Sequence, residues 1–277
     1  MPELPEVQTI VDELNLKVKG KTILKSLPAI KNIKNKKILN IRRRAKYIIL
    51  ELSDNYILLI HLKMTGHLLL GKWEMRDNIF YPISEGPLKE DRFNQYVRTV
   101  FYLDNDFDLG FSDLRKFGQI ELFKKEEFEK LEKINKLGVE PFSKDFTFKF
   151  FKGIIKNTKT NIKKLLMDQE KIAGIGNIYA SEILFCARVS PLRNANSLSE
   201  NEMKRIYEVI KLVLKKAIDL KGSSAFDYRR TDGIKGFYQE HSFVYGRRGE
   251  ECLKCKGKVE YVKIGQRGTY FCPKCQK

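Results

Sequence analysis

Proline at position 2, followed at once by glutamate, is the first arrangement in this chain that could do chemistry. Methionine is readily trimmed ahead of a small residue, and a chain that then starts at Pro2 carries a secondary amine at its terminus. An α-amino group titrates near ~8, so an appreciable fraction is neutral at working pH without the deep burial that a lysine needs. Such an amine can attack an electrophilic carbon, and the iminium that results is an electron sink. With Met1 in place the same nitrogen is a tertiary amide and forms no iminium. Glu3 lies beside this nucleophile, where a carboxylate can handle protons. Glu6 lies three residues on, on the same side of an incipient helix, and can orient the site or serve the helix N-terminus. On these residues alone, ordinary first-turn acidity explains both glutamates equally well.

The second arrangement is metallic. Cys252-x-x-Cys255 and Cys272-x-x-Cys275 are separated by 16 residues, and two such knuckles can converge on one tetrahedral Zn²⁺. Four thiolates leave no position open for water, so the zinc is expected to be structural. Lys258–Ile264 and Gly268–Cys272 alternate like two strands around a Gly265-Gln266-Arg267-Gly268 turn. Arms this short need the metal for stability. An arginine at such a tip is either merely solvated or, in a basic protein, able to enter a groove or reach between bases. Cys186, alone on an apolar helix, reads as a packed core residue.

The chain carries 53 Lys and Arg against 35 Asp and Glu, a net charge of +18, which favours a polyanionic partner. Apolar runs such as Tyr47–Leu52 and Tyr56–Leu62 are strand-sized, far below the ~20 residues of a membrane span. The N-terminus lacks the basic and apolar regions of a signal peptide. With four of five cysteines in one module, a reducing, cytoplasmic setting is expected.

Elements must position these groups. A helix is expected from Pro5, with Val7, Ile10, Val11, Leu14 and Val18 as its buried stripe. Strands follow at Tyr47–Leu52, Tyr56–His61, Gly66–Leu70, Val97–Leu103 and Gln119–Phe123. Helices are expected at Glu126–Leu137, Phe148–Asn157, Asn161–Asp168, Asn177–Arg188 and Ser199–Leu220. Asn177 is the expected N-cap of its helix. Gly222–Gly249 reads as a non-helical, Gly- and Arg-rich stretch. The fold class is α+β: an N-terminal β-sandwich with a leading helix (2–125), a helical domain (126–243) and a Cys₄ zinc β-hairpin finger (244–277).

Met1-Pro2-Glu3-Leu4-Pro5-Glu6-Val7 resembles the start of formamidopyrimidine-DNA glycosylases, bacterial enzymes that excise 8-oxoguanine and ring-opened purines. The resemblance continues through Arg43-Arg44-Ala45-Lys46-Tyr47, His61-Leu62-Lys63-Met64-Thr65-Gly66 and Asp113-Leu114-Arg115-Lys116-Phe117-Gly118. It extends through Ala173-Gly174-Ile175-Gly176-Asn177-Ile178-Tyr179-Ala180 and Val244-Tyr245-Gly246-Arg247 to the hairpin with Gln266-Arg267. It implies a bifunctional glycosylase and abasic-site lyase in which the Pro2 amine attacks the sugar and Glu3 handles protons at the ring. Lys46 is then expected near the phosphate beside the lesion, and Arg267 joins the catalytic group. Met64, Arg115 and Phe117 would fill the gap left by an everted nucleotide, with Lys116 beside them on the DNA; taken singly, Met64 and Phe117 would more often be core. Lys163 and Asn177 are expected to clasp phosphates within a helix–two-turn–helix. Ser223–Gln239, with Arg229, Thr231, Gly233 and Lys235, matches the family's lesion-capping loop.

The implied partner is double-stranded DNA carrying oxidised purines or abasic sites, bound by a monomer in a bacterial cytoplasm. The chain departs from the family at Phe93-Asn94-Gln95-Tyr96, where many members read Lys-His-Asp-His, which puts local hydrogen bonding there in doubt. Two other readings stay open: an endonuclease VIII-type enzyme for oxidised pyrimidines, which typically has Pro-Glu-Gly-Pro at its start, and a non-enzymatic lesion-binding protein.

Overall fold

The computed structural model describes residues 1–83 and 85–277. It divides into two compact units, Met1–Asn135 with Leu220–Phe237, and Lys136–Asp219 with Tyr238–Lys277.

In the first unit, α1 (Leu4–Lys17) precedes β1 (Thr22–Leu27), β2 (Lys36–Arg44), β3 (Tyr47–Leu52), β4 (Tyr56–His61) and β5 (Gly66–Gly71). A small hairpin, β6 (Trp73–Arg76) and β7 (Ile79–Pro82), and a short α2 (Pro87–Glu90) interrupt the series. It resumes with β8 (Val97–Leu103), β9 (Asp108–Asp113) and β10 (Gln119–Lys124), then α3 (Lys125–Glu129) and α4 (Glu132–Asn135). The single helix expected over Glu126–Leu137 is two short ones, broken at Lys130-Leu131.

The strands run β10-β4-β3-β2-β1-β8-β9-β5, antiparallel throughout. β10-β4-β3-β2 forms one layer of a sandwich and β1-β8-β9-β5 the other, linked where β1 pairs with β2 over only Thr22↔Lys37 and Ile23↔Lys36. The core lies between the layers. Ile48, Leu50, Leu58 and Ile60 face Leu68, Leu70, Phe101, Leu109 and Phe111, and the expected stripe of α1 (Val7, Ile10, Val11, Leu14) seals the same core. β5 is buried along its whole length because Leu69, on its other face, is covered by Trp73, Phe80 and Leu88.

Leu220–Phe237, placed with the helical domain by sequence, finds its partners in this first unit. Leu70 donates its backbone N–H to the Thr231 carbonyl at 2.7 Å, so the segment runs against the outer edge of β5.

The second unit contains α5 (Phe148–Lys156), α6 (Ile162–Met167), α7 (Asn177–Cys186) and α8 (Glu200–Asp219), then the finger strands β11 (Glu260–Ile264) and β12 (Arg267–Phe271). Asn161 caps α6 by accepting from Lys163 N–H at 2.9 Å. The two turns before α7 are braced by Gln169, which donates to the carbonyls of Met167 (2.8 Å) and Ile175 (2.7 Å) and accepts from Gly174 N–H (2.9 Å). Among the described residues, no helix is long and apolar enough to cross a membrane.

Candidate active site

The amino-terminal segment is folded inward. Pro2, Glu3 and Glu6 are buried. Glu3 is the N-cap of α1, which begins at Leu4, one residue before the expected Pro5, and its backbone N–H donates to Glu6 Oε2 at 2.7 Å. The other oxygen, Oε1, accepts from Ser223 N–H at 2.8 Å. One carboxylate thus ties the amino-terminal segment to the loop of residues 220–237. Gly222 is required at this junction: its φ is +78°, and a Cβ there would stand 2.9 Å from Glu6.

The electrostatics around the chain's first amine follow from this packing. Burial holds the α-amino group of Met1 below its ordinary value, the negative charges of Glu3, Glu6 and Asp227 act the other way, and the positive charge of Lys46 acts with burial. Lys46 is itself buried, at the β2–β3 turn that Ala45 makes with φ +51°. The structure therefore gathers Pro2, Glu3, Glu6 and Lys46. Nearby His61 stays neutral, pushed down to about 3 by burial and then by Lys63 and Lys46.

The candidate lesion loop is held by partly buried carboxylates. Glu13 on α1 accepts from Thr231 N–H (3.0 Å), Thr231 Oγ1 (2.7 Å) and Arg230 Nε (2.9 Å). Arg229 is only 2% exposed and turns inward, donating to Asp91 at 2.6 Å and lying over the Phe93 ring. Gly233, at φ +81°, offers its carbonyl to Asn94 Nδ2 at 3.0 Å, while Lys235 is exposed. Asn94, where the chain departs from the family, is completely buried; its Oδ1 meets His67 Nε2 at 3.1 Å and its amide also donates to Pro87 at 2.8 Å. The doubt raised by that departure resolves into a hydrogen-bond hub.

Met64, Arg115, Lys116 and Phe117 stand out from the first unit. Met64 is 36% and Phe117 54% exposed, values that core residues do not show, and the Arg115 guanidinium lies 4.9 Å from the Phe117 ring centroid. Their loops are neighbours, since Gly66 pairs with Asp113 and His61 with Gln119.

In the second unit, Lys163 and Asn177 converge on the finger. Lys163 Nζ, buried, donates to Thr269 Oγ1 (2.8 Å) and to the Gly268 carbonyl (3.2 Å), which also accepts from Asn177 Nδ2 at 3.0 Å. Gly176, not Asn177, is the N-cap of α7; the Asn177 side chain is spent on the finger and on Tyr245 Oη (3.2 Å) instead. Arg267 is exposed as the first residue of β12, not a turn residue, because Gly265 (φ +54°) and Gln266 (φ +62°) alone make the hairpin turn.

The four cysteine sulfurs lie within 4.8 Å of one another, with Cys252–Cys275 at 3.8 Å and Cys255–Cys272 at 3.4 Å. A tetrahedron of sulfurs about 2.3 Å from zinc has edges of about 3.8 Å, so the donor set fits the ion. The site holds one structural zinc.

Several residues escaped the sequence reading. Glu182, buried within the apolar run of α7, accepts from the N–H groups of Phe243 (2.8 Å), Val244 (3.0 Å) and Tyr245 (2.9 Å). An acid in an otherwise apolar helix was its only signal. Glu13 had none, because it reads as an ordinary helical acid.

Residues 1–120 match the formamidopyrimidine-DNA glycosylase N-terminal domain, 137–228 the H2TH domain of that family, and 249–277 the zinc finger found in FPG and IleRS. The formamidopyrimidine-DNA glycosylase of Heliobacterium modesticaldum is 38% identical over 100% of both chains, and that of Pelotomaculum thermopropionicum 37% over 100% of this chain and 99% of its own. The MutM (Fpg) protein of Thermus thermophilus superposes with a TM-score of 0.84 at 36% identity over 99% of this chain and 98% of that one. A Lactococcus lactis Fpg in complex with abasic-site DNA gives 0.84 at 32% identity over 99% of each chain. With full-length agreement in sequence and in fold, the chain belongs to the formamidopyrimidine-DNA glycosylase family of DNA-repair glycosylases.

Proposed function

We propose that the protein excises oxidised purines, 8-oxoguanine and formamidopyrimidines, from duplex DNA and then cleaves the strand at the resulting abasic site. The observation that carries this reading is the inward-folded amino terminus, where Pro2, Glu3, Glu6 and Lys46 are buried.

Once Met1 is removed, the Pro2 nitrogen attacks C1′ of the damaged nucleotide. The N–C1′ bond forms as the glycosidic bond breaks, and the base departs with a proton. Glu3 moves protons at the sugar oxygen, the ring opens, and the adduct becomes an iminium. Loss of a C2′ proton then expels the 3′-phosphate, a second elimination releases the 5′-phosphate, and water frees the enzyme. Lys46 serves the phosphate beside the lesion, and Arg267 serves the strand from the finger. Met64, Arg115 and Phe117 fill the vacated stack, where each stacked base typically returns ~1–3 kcal/mol against the few that eversion costs. Lys163 and Asn177 serve the backbone, and the loop with Arg229, Thr231, Gly233 and Lys235 caps the everted base. The protein acts as a monomer in the bacterial cytoplasm.

Borohydride trapping on duplex DNA with one 8-oxoguanine opposite cytosine tests this, with mass spectrometry confirming Met1 removal and Glu3→Gln alongside. A covalent adduct at Pro2 is expected. Intact DNA and no adduct from processed protein would leave a lesion-binding protein, and preference for thymine glycol would point to the endonuclease VIII type. Because the reacting amine must be neutral, kcat/KM should rise with pH as that amine loses its proton.

A further inference from the structure

Two loops carry the side chains assigned above to the vacated stack: residues 62–65, between β4 and β5, and residues 114–118, between β9 and β10. Both stand on two residues of β9. Asp113 is 1% exposed, and its carboxylate takes donors from both loops. Oδ1 accepts from the Thr65 hydroxyl and, at 3.2 Å, from Arg115 N–H; Oδ2 accepts from Gly118 N–H at 2.7 Å. The Thr65 hydroxyl, having given its proton to Asp113, accepts in turn from Arg115 N–H at 3.0 Å. Phe111 supplies the apolar half of the support. A Cβ on Gly66 would stand 3.0 Å from its Cζ and one on Gly118 only 2.3 Å, so both loops rest on the same ring edge. Asp113 is fixed from behind by its N–H to the Tyr96 carbonyl (2.9 Å) and by Arg98 Nε to its own carbonyl (3.2 Å).

We propose that Asp113 is a positioning residue for base eversion, whose carboxylate, with the Thr65 hydroxyl, locks the Met64 and Arg115–Phe117 tips into one wedge that enters the duplex as a unit. The chemistry favours this over a simple turn cap. A turn cap would satisfy its own loop, as Asp113 does for Arg115 and Gly118, but would not recruit a hydroxyl from a loop 48 residues earlier in the chain. A carboxylate offers about four acceptor positions, where an amide offers two and adds a competing donor. Aspartate can therefore hold all these donors, and asparagine must release at least one. Without the shared anchor each tip keeps its side chain but loses its place relative to the other, and insertion must order them at the moment of binding.

The inference rests on Met64 and Phe117 filling the stack, so the test carries controls for that reading. Full-length processed protein bearing Asp113→Asn, Thr65→Val or Thr65→Ser would be compared with Met64→Ala and Phe117→Ala. Two signals would be followed: 2-aminopurine fluorescence beside the lesion, which reports unstacking, and single-turnover excision from duplex against cleavage of an abasic site in single-stranded DNA, which needs no eversion. Asp113→Asn and Thr65→Val should each slow the unstacking signal and duplex excision by about 10-fold, the scale of one lost charge-assisted hydrogen bond. Single-strand cleavage should fall far less, and Thr65→Ser should restore the rate. If Asp113→Asn does not fold, the Val and Ser pair at Thr65 decides alone. Should the alanine controls slow unstacking while Asp113→Asn and Thr65→Val leave it unchanged, the lock is wrong and the wedge stands. Should the alanine controls also leave it unchanged, the wedge itself is wrong and the lock falls with it.

Discussion

The loop of residues 220–237 and the zinc finger face the same problem: each is a short segment that cannot bury a core of its own. They solve it in different ways. The loop borrows anchors from elsewhere in its unit, one at a time. Glu6 takes Ser223, Glu13 takes Arg230 and Thr231, Asp91 takes Arg229, and Asn94 takes Gly233. The finger concentrates its support in one metal and a small cluster of Val244, Cys252, Val259 and Cys272 against Phe185. Distributed anchoring gives graded loosening, because each hydrogen bond can open without its neighbours. Metal anchoring gives two states, because three ligands hold zinc far less well than four.

The comparison is most open to attack at the finger. Chelation, or Cys272→Ser, should abolish amide protection across β11 and β12 together, since structural zinc contributes about 10–16 kcal/mol of folding free energy in such modules. Hydrogen exchange would read this, and a stepwise loss of protection would refute two-state behaviour. The loop should answer differently. Glu13→Ala leaves the donors of Thr231 and Arg230 without their partner, a cost of about 2–3 kcal/mol. Exchange should quicken at residues 230–234 while amides near Ser223 and in the strands keep their protection. Equal loosening at Ser223 would show that the loop also behaves as one piece.

Acid should loosen the loop's hub in a smaller and continuous way. Burial pushes His67 down to about 4, with its hydrogen bonds to Thr65 and Asn94 opposing. In the unfolded chain it takes a proton near ~6.5, so between those values the unfolded state binds more protons and stability falls as pH drops. The loss reaches at most about 3 kcal/mol near the lower bound. His67→Gln should flatten that part of the stability profile, measured by denaturant unfolding at pH 7 and pH 5. The least effect belongs to the hairpin turn. Gln266 holds φ +62°, and Gln266→Gly should stabilise the finger by roughly 0.5–1 kcal/mol, seen as slower exchange in β11.

Much of this was legible beforehand where a residue's job is local. The α1 stripe, the cysteine spacing and five strands depend on period and composition within a short window, and the structure has them where the sequence puts them. The family motifs marked the site without explaining it. Asn177 shows why: its type fits an N-cap, yet Gly176 supplies the cap and the side chain reaches Gly268, 91 residues on. Lys163, expected on phosphate, also holds the hairpin, a role its position did not signal. Glu13, Asn94 and Glu182 reach partners 61 to 218 residues away in sequence, and nothing near them names those partners. Strand β9 was missed because its two large apolar residues, Leu109 and Phe111, are set among Asp108, Gly110, Ser112 and Asp113, types that read as turn, although the strand is buried along its whole length.

The two wedge loops are also the two crossovers between the sandwich layers at one end: β4 to β5, and β9 to β10. His61 meets Gln119 in one layer and Gly66 meets Asp113 in the other, so neither crossover has a fixed end until both pairings have formed. Those pairings join residues far apart in sequence, and such contacts are slow to form during folding. The apparatus proposed to enter DNA is therefore complete only once both of these pairings are in place. A half-folded chain, however basic, can adhere to the duplex but has nothing in place with which to open it.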